Sequence, residues 1–131
     1  MKDTENIKLG QSYVDALMKG EMEKVGQLLA DDVIWHQPGQ GHLSGLYEGK
    51  QNLFPHLAKF TELSSGTFRV DKVGTVMANG DLVSATLHFV AERPGRKLSM
   101  DGVDLMRVGG GKIKEVWLFS DDQAAEDAFW S

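Results

Sequence analysis

Asn79-Gly80-Asp81-Leu82-Val83-Ser84-Ala85-Thr86-Leu87-His88-Phe89-Val90-Ala91 decides the fold class. Asn-Gly between two β-rich runs is the strongest short hairpin signal, because both residues accept the positive φ that a tight turn needs. After it, Val83, Ala85, Leu87, Phe89 and Ala91 fall on one face of a strand, and Ser84, Thr86 and His88 on the other. Working outward, strands are expected over Thr67–Ala78 and Asp81–Arg93, a Pro94-Gly95 turn, then strands over Arg96–Val108 and Lys112–Ser120 around Gly109-Gly110-Gly111. This is a four-stranded antiparallel meander.

The first half is helical. Ile7, Val14, Leu17 and Met18 repeat at helical spacing with Tyr13 beside them, predicting a helix over Thr4–Lys19. Gly20 stops it, and a shorter helix resumes over Glu21–Leu29. Asp31-Asp32 breaks that pattern, and Val33–Gln37 reads as a strand entering the Pro38-Gly39-Gln40-Gly41 loop. Leu46-Tyr47-Glu48-Gly49 leads towards a helix over Lys50–Leu63, with Leu53, Leu57 and Phe60 at core spacing and Pro55 placed in the first turn. Asp122–Trp130 closes as a short helical segment or tail. Helices followed by a meander make an α+β layout.

The 131 residues are one domain by length, 1–131, with 41% hydrophobic and 25% charged residues. A formal charge of -5 with scattered basic residues argues against a nucleic-acid footprint. The absence of cysteine excludes disulfides and thiolate metal sites. The four histidines show no close ligand spacing, so no metal is expected, and no Gly-rich phosphate loop lies between a strand and a helix. The polar start and the lack of an apolar run near the ~18 residues of a membrane span leave a cytoplasmic location as the expectation. A sheet with one apolar and one semi-polar face favours pairing with a second copy, so a homodimer through the sheet is expected.

Tyr13-Val14-Asp15-Ala16-Leu17, Gly20-Glu21, Leu28-Leu29-Ala30-Asp31-Asp32-Val33 and Pro38-Gly39 resemble the first half of the nuclear transport factor two-like superfamily. Gly95-Arg96-Lys97-Leu98, Val103-Asp104-Leu105-Met106-Arg107-Val108 and Gly111-Lys112-Ile113-Lys114-Glu115-Val116-Trp117 resemble its last two strands. The branch in view is that of SnoaL-like polyketide cyclases and ketosteroid-isomerase-like proteins. The resemblance implies a cone: a curved, mainly antiparallel sheet wrapped round three helices of the N-terminal half, with an apolar pocket at the open end. It implies a small apolar ligand, a carbonyl compound or polyketide-like ring, handled without a cofactor. The superfamily mixes enzymes with binding modules, so a non-catalytic small-molecule-binding or dimeric interaction module is the alternative.

Carried across by residue, Tyr13 matches the isomerase's hydrogen-bond donor to a developing oxyanion, and Asp104 the protonated aspartate that shares that task. The family's general-base carboxylate falls on Gln37, an amide that accepts no proton at neutral pH, so that mechanism does not transfer intact. His36 is the replacement base by its near-neutral pKa, although strand alternation turns it away from Gln37's side. Asp121 is a further acid–base candidate beside Trp117 and Phe119, with helix capping as its plain alternative and Asp122 competing for that cap. Asp104 has a plain alternative as an edge residue paired with Arg107 or Lys97, and Tyr13 one as core. The expected ligand contacts are Trp35, Gln37, Trp117, Phe119, Phe60 and Met106. His42 reads as a loop residue, His56 as the outer flank of a helix, and His88 as interface or surface.

Overall fold

The computed structural model describes residues 2–131. In chain order the elements are α1 (Lys2–Lys19), α2 (Met22–Leu28), β1 (Leu29–Gln37), β2 (Gly45–Glu48), α3 (Lys50–Leu63), β3 (Arg69–Asn79), β4 (Leu82–Arg93), β5 (Arg96–Gly109), β6 (Lys112–Ser120) and α4 (Gln123–Trp130). The six strands form one sheet in the order β2-β1-β6-β5-β4-β3. The meander is antiparallel throughout, β1 runs parallel to β6, and β2 is antiparallel to β1. The expected α+β architecture is present, as a curved, unclosed sheet around helices.

Local chemistry explains the boundaries. Asn79 is the last ladder residue, paired with Leu82, so the turn is Gly80-Asp81, one residue later than expected, with Gly80 at φ +63°. β1 begins at Leu29 rather than Val33, because Leu29 is buried and pairs with Ile113. The pairing then slips before Ile34, which lets Asp31 and Asp32 bulge into solvent, where Asp31 meets Lys50 at 3.1 Å. β2 is an edge strand where only a lead-in to a helix was expected. Pro55 is the sixth residue of α3, not part of its first turn. Its missing N–H leaves the Gln51 carbonyl without a helical donor, on a face open to water.

The inward faces are as alternation predicts. Val83, Ala85, Leu87, Phe89 and Ala91 are buried on β4, and Leu98, Met100, Gly102, Asp104, Met106 and Val108 line up inward on β5. On α1 the buried stripe is Gly10, Tyr13, Val14 and Ala16, rotated from the expected one. Met18 is exposed because it overlooks the cavity described below. Two apolar clusters result, one around Tyr13, Val33, Leu53 and Val116, the other around Phe60, Phe89, Met100 and Trp130. Each large side chain so buried contributes roughly 1.5–3 kcal/mol.

Candidate functional site

A cavity of about 870 Å³ opens between the inner sheet face and the helices, drawing its walls from both clusters. Its lining is mostly apolar, including Val25, Leu57, Phe68, Phe89 and Leu118. The polar side chains in that wall include Tyr13, Gln37, Asp104 and Glu126.

Asp104 sits mid-β5 between the inward positions of Gly102 and Met106, opposite Ala85 on β4 and Leu118 on β6. Its side chain is therefore enclosed by apolar neighbours, and the residue is 6% exposed. The plain alternative does not occur, since Arg107 turns outward to Glu115 at 3.3 Å and Lys97 is exposed. The Asp104 carboxyl receives one hydrogen bond from the described residues, from the buried Tyr13 hydroxyl to Oδ2 at 2.9 Å. Burial pushes the Asp104 pKa up to about 7, with the Tyr13 bond opposing part of the rise. Burial and then the neighbouring carboxylate hold the Tyr13 phenol well above its ordinary value, so Tyr13 stays a donor.

Gln37 is the second polar centre. Its Oε1 lies 3.0 Å from Trp35 Nε1 and 2.9 Å from His56 Nε2. His56 corrects the expectation of an outer-flank residue: it is 1% exposed, on the same helical face as Leu53 and Phe60. Its ring stacks on Tyr47 at 3.6 Å between centroids and meets Phe60 edge-on at 5.0 Å. Desolvation, helped by the Lys59 charge, lowers its pKa to about 4, so it is neutral near pH 7. Tyr47 comes from β2, so the edge strand missed in the sequence supplies the clamp.

Glu126 is the third. It reaches the cavity from α4, is 7% exposed, and its Oε1 accepts from Ser120 Oγ at 2.7 Å and Gln123 Nε2 at 3.1 Å. α4 starts on its own cap, Asp122 accepting from Ala125 N at 3.0 Å, and Glu126 ties it to the end of β6 through Ser120. Asp127 also accepts from Gln40 N at 2.9 Å, beside Gly39, where φ is +93° and a Cβ would meet the Asp127 carboxylate. Only glycine lets that loop approach α4 so closely.

The cavity brings together Tyr13, Asp104, Trp35, Gln37, Phe60 and Phe119 among the expected site residues. It does not bring His36, Trp117, Asp121 or Met106. His36 faces outward, with Nε2 2.6 Å from Glu115 Oε2 and its ring stacked on Trp117 at 5.1 Å. Alternation along β1 and β6 puts both on the outer sheet face. Asp121 does share the face of Trp117 and Phe119, but that face is the outer one, and Asp121 lines a separate depression of about 510 Å³ with His88, Lys72 and Asp101. Asp122, not Asp121, caps α4. Met106 is fully buried in the core beneath α1, without reaching the cavity. Phe119, 55% exposed, contributes to both the depression and the cavity wall. His88 is a surface residue, as expected, bridging Asp71 at 2.7 Å and Ser99 at 3.1 Å.

Among the described residues, no three His, Asp or Glu side chains gather as metal ligands, and no helix is long and apolar enough to cross a membrane. Residues 11–116 match the family model of the SnoaL-like domain. An uncharacterized protein of Mycobacterium tuberculosis is 30% identical over 132 residues, covering 100% of both chains. The crystal structure of a protein of unknown function with a cystatin-like fold from Xanthomonas campestris is 44% identical, with a TM-score of 0.92 over 96% of this chain and 98% of that one. The structure of TerC, co-crystallized with polyporic acid, is 18% identical with a TM-score of 0.82, over 96% of this chain and 98% of that one, a likeness of fold. The chain belongs to the SnoaL-like domain family.

Proposed function

We propose that this protein is a cofactor-independent enzyme that moves a proton on a small apolar carbonyl compound held in the cavity. The observation that carries the reading is Asp104: a desolvated carboxylate in a mostly apolar cavity wall, with a pKa of about 7 and one hydrogen-bond donor behind it. A base poised near the working pH serves both to take a proton and to return it. Tyr13 occupies Oδ2, which leaves Oδ1 for the ligand. Oδ1 takes a proton from the carbon next to the carbonyl. The C–H pair moves into an enolate, and the protonated Asp104 returns the proton to the same or a neighbouring carbon.

Relative to the family expectation the roles shift. The Tyr13 hydroxyl is directed at Asp104, and His36 and Asp121 lie outside the cavity, so proton transfer falls to Asp104. The ligand size agrees with a cavity of about 870 Å³, and TerC's polyporic acid is support by analogy of fold. A pairing of two copies through the outer sheet face is part of the proposal, supported by Phe119 and Met77 standing 55% and 57% exposed there. Sedimentation velocity tests it: a dimer that Phe119→Asp dissociates supports it, and a monomeric wild type ends it.

A second reading is favoured by one observation, the amide of Gln37 where the isomerase family places its base. In it the cavity holds a ligand without turning it over. Deuterium exchange separates the two. In D₂O, wild-type protein should accelerate loss of the α-protons of a small apolar ketone such as 2-tetralone. Asp104→Asn should lower that acceleration by about 10²- to 10⁴-fold. A ketone that binds and is recovered without exchange supports the second reading.

A further inference from the structure

We infer that Gln37 presents its amide N–H groups to the cavity and selects ligands carrying an unprotonated acceptor oxygen, with Trp35 and His56 as the residues that fix its orientation. An indole N–H only donates, so the Gln37 atom 3.0 Å from Trp35 Nε1 is the oxygen. The same oxygen lies 2.9 Å from His56 Nε2, which must then carry the ring proton. His56 Nδ1 is left bare, and it is buried without a partner among the described residues. Clamping by Tyr47 and Phe60 stops the ring from turning to exchange its nitrogens.

Rotating the amide by 180° would set its NH₂ against two N–H donors and lose both hydrogen bonds. The amide is therefore locked, and its nitrogen points the other way. Gln37 Nε2 has no protein acceptor among the described residues, and Gln37 lines the cavity. A ketone, quinone or enolate oxygen satisfies it, whereas a ligand offering only C–H or a donor strands it. Such pre-fixed donors discriminate better than mobile ones, because no orientation is lost when the ligand arrives.

The inference rests on the cavity being the ligand site proposed above, but not on catalysis. Calorimetric titration with two planar isosteres tests it: 2-acetylnaphthalene, which carries the acceptor, and 2-isopropenylnaphthalene, in which CH₂ replaces that oxygen. The readout is the ratio of their dissociation constants, compared between proteins so that differences in ligand hydration cancel. In Gln37→Leu and Gln37→Glu the preference for the ketone should fall by about threefold to tenfold, the range of one net hydrogen bond. Alkene binding should stay within about twofold of wild type. His56→Phe should lower the same ratio by freeing the amide, and His56→Gln, which keeps an N–H donor, should restore it. Glu at position 37 still accepts from Trp35 and His56, so this variant keeps the local fold. An unchanged ratio in all variants overturns the inference and leaves the cavity reading intact. Failure of wild-type protein to bind either probe overturns both.

Discussion

Replacing Asp104 by Asn should change the pH dependence of stability in a way that surface carboxylates cannot imitate. In the folded protein Asp104 titrates at about 7, against an ordinary 3.8. The folded state therefore holds a proton that the unfolded chain releases between those values, and stability falls as pH rises from about 4 through about 7. A gap of about three pH units corresponds to about 4 kcal/mol at roughly 1.4 kcal/mol per unit. Asn keeps an acceptor for the Tyr13 hydroxyl and carries no charge. The variant should thus match wild type near pH 4 and exceed it by up to about 4 kcal/mol at pH 8. For a chain of this size that is roughly 10–20 °C in Tm. Urea unfolding of both proteins at several pH values measures it, the m-value serving to confirm that the unfolded reference is shared. Because every other titrating group is common to both, acid denaturation cancels in the difference. A difference that stays flat from pH 4 to pH 8 would refute a desolvated Asp104.

Three further outcomes follow from the same geometry. His56 has the opposite sign: its pKa is lowered from 6.5 to about 4, so its contribution is complete above about 6.5 and lost as pH falls towards 4. His56→Gln should flatten about 3 kcal/mol of that acid-side loss, read by the same urea series. His36→Ala should leave probe binding and proton exchange within about twofold of wild type, since His36 pairs with Glu115 on the outer face; a larger loss would put His36 back in the site. Gly102→Ala should destabilise by about 1–3 kcal/mol, because its Cβ would stand 2.8 Å from the Phe119 carbonyl oxygen of the adjoining strand. Thermal unfolding checks this, and an unchanged Tm would show that β5 and β6 can separate there.

What could be read beforehand depended on whether a signal was local. The bounds of α3 and β6 match the expectation residue for residue, since Gly49, Ser64 and the glycines before Lys112 mark their ends in sequence. Alternation also placed His36 opposite Gln37 correctly. β2 has four residues of mixed polarity and exists through pairing with Ile34–Gln37, so no periodicity announces it. His56 did carry a signal: it lies three residues after Leu53 and four before Phe60, inside the buried stripe. Its partner Gln37 is 19 residues away, and only the closed fold brings them together. Glu126 sits in a helix that meets the Gly39-Gln40 loop through Asp127, a contact far apart in sequence that only the closed fold makes. Asp121 shows the limit of face arguments: its neighbours were identified correctly, but which side of the sheet they faced was not.

The pH profile of ketone α-proton exchange tests the central claim most directly. The account predicts that kcat/KM for exchange climbs with pH and levels off above about 7, as Asp104 ionises, and that Asp104→Asn removes the climb. Exchange that is independent of pH between 5 and 9, or that persists undiminished in Asp104→Asn, would contradict it.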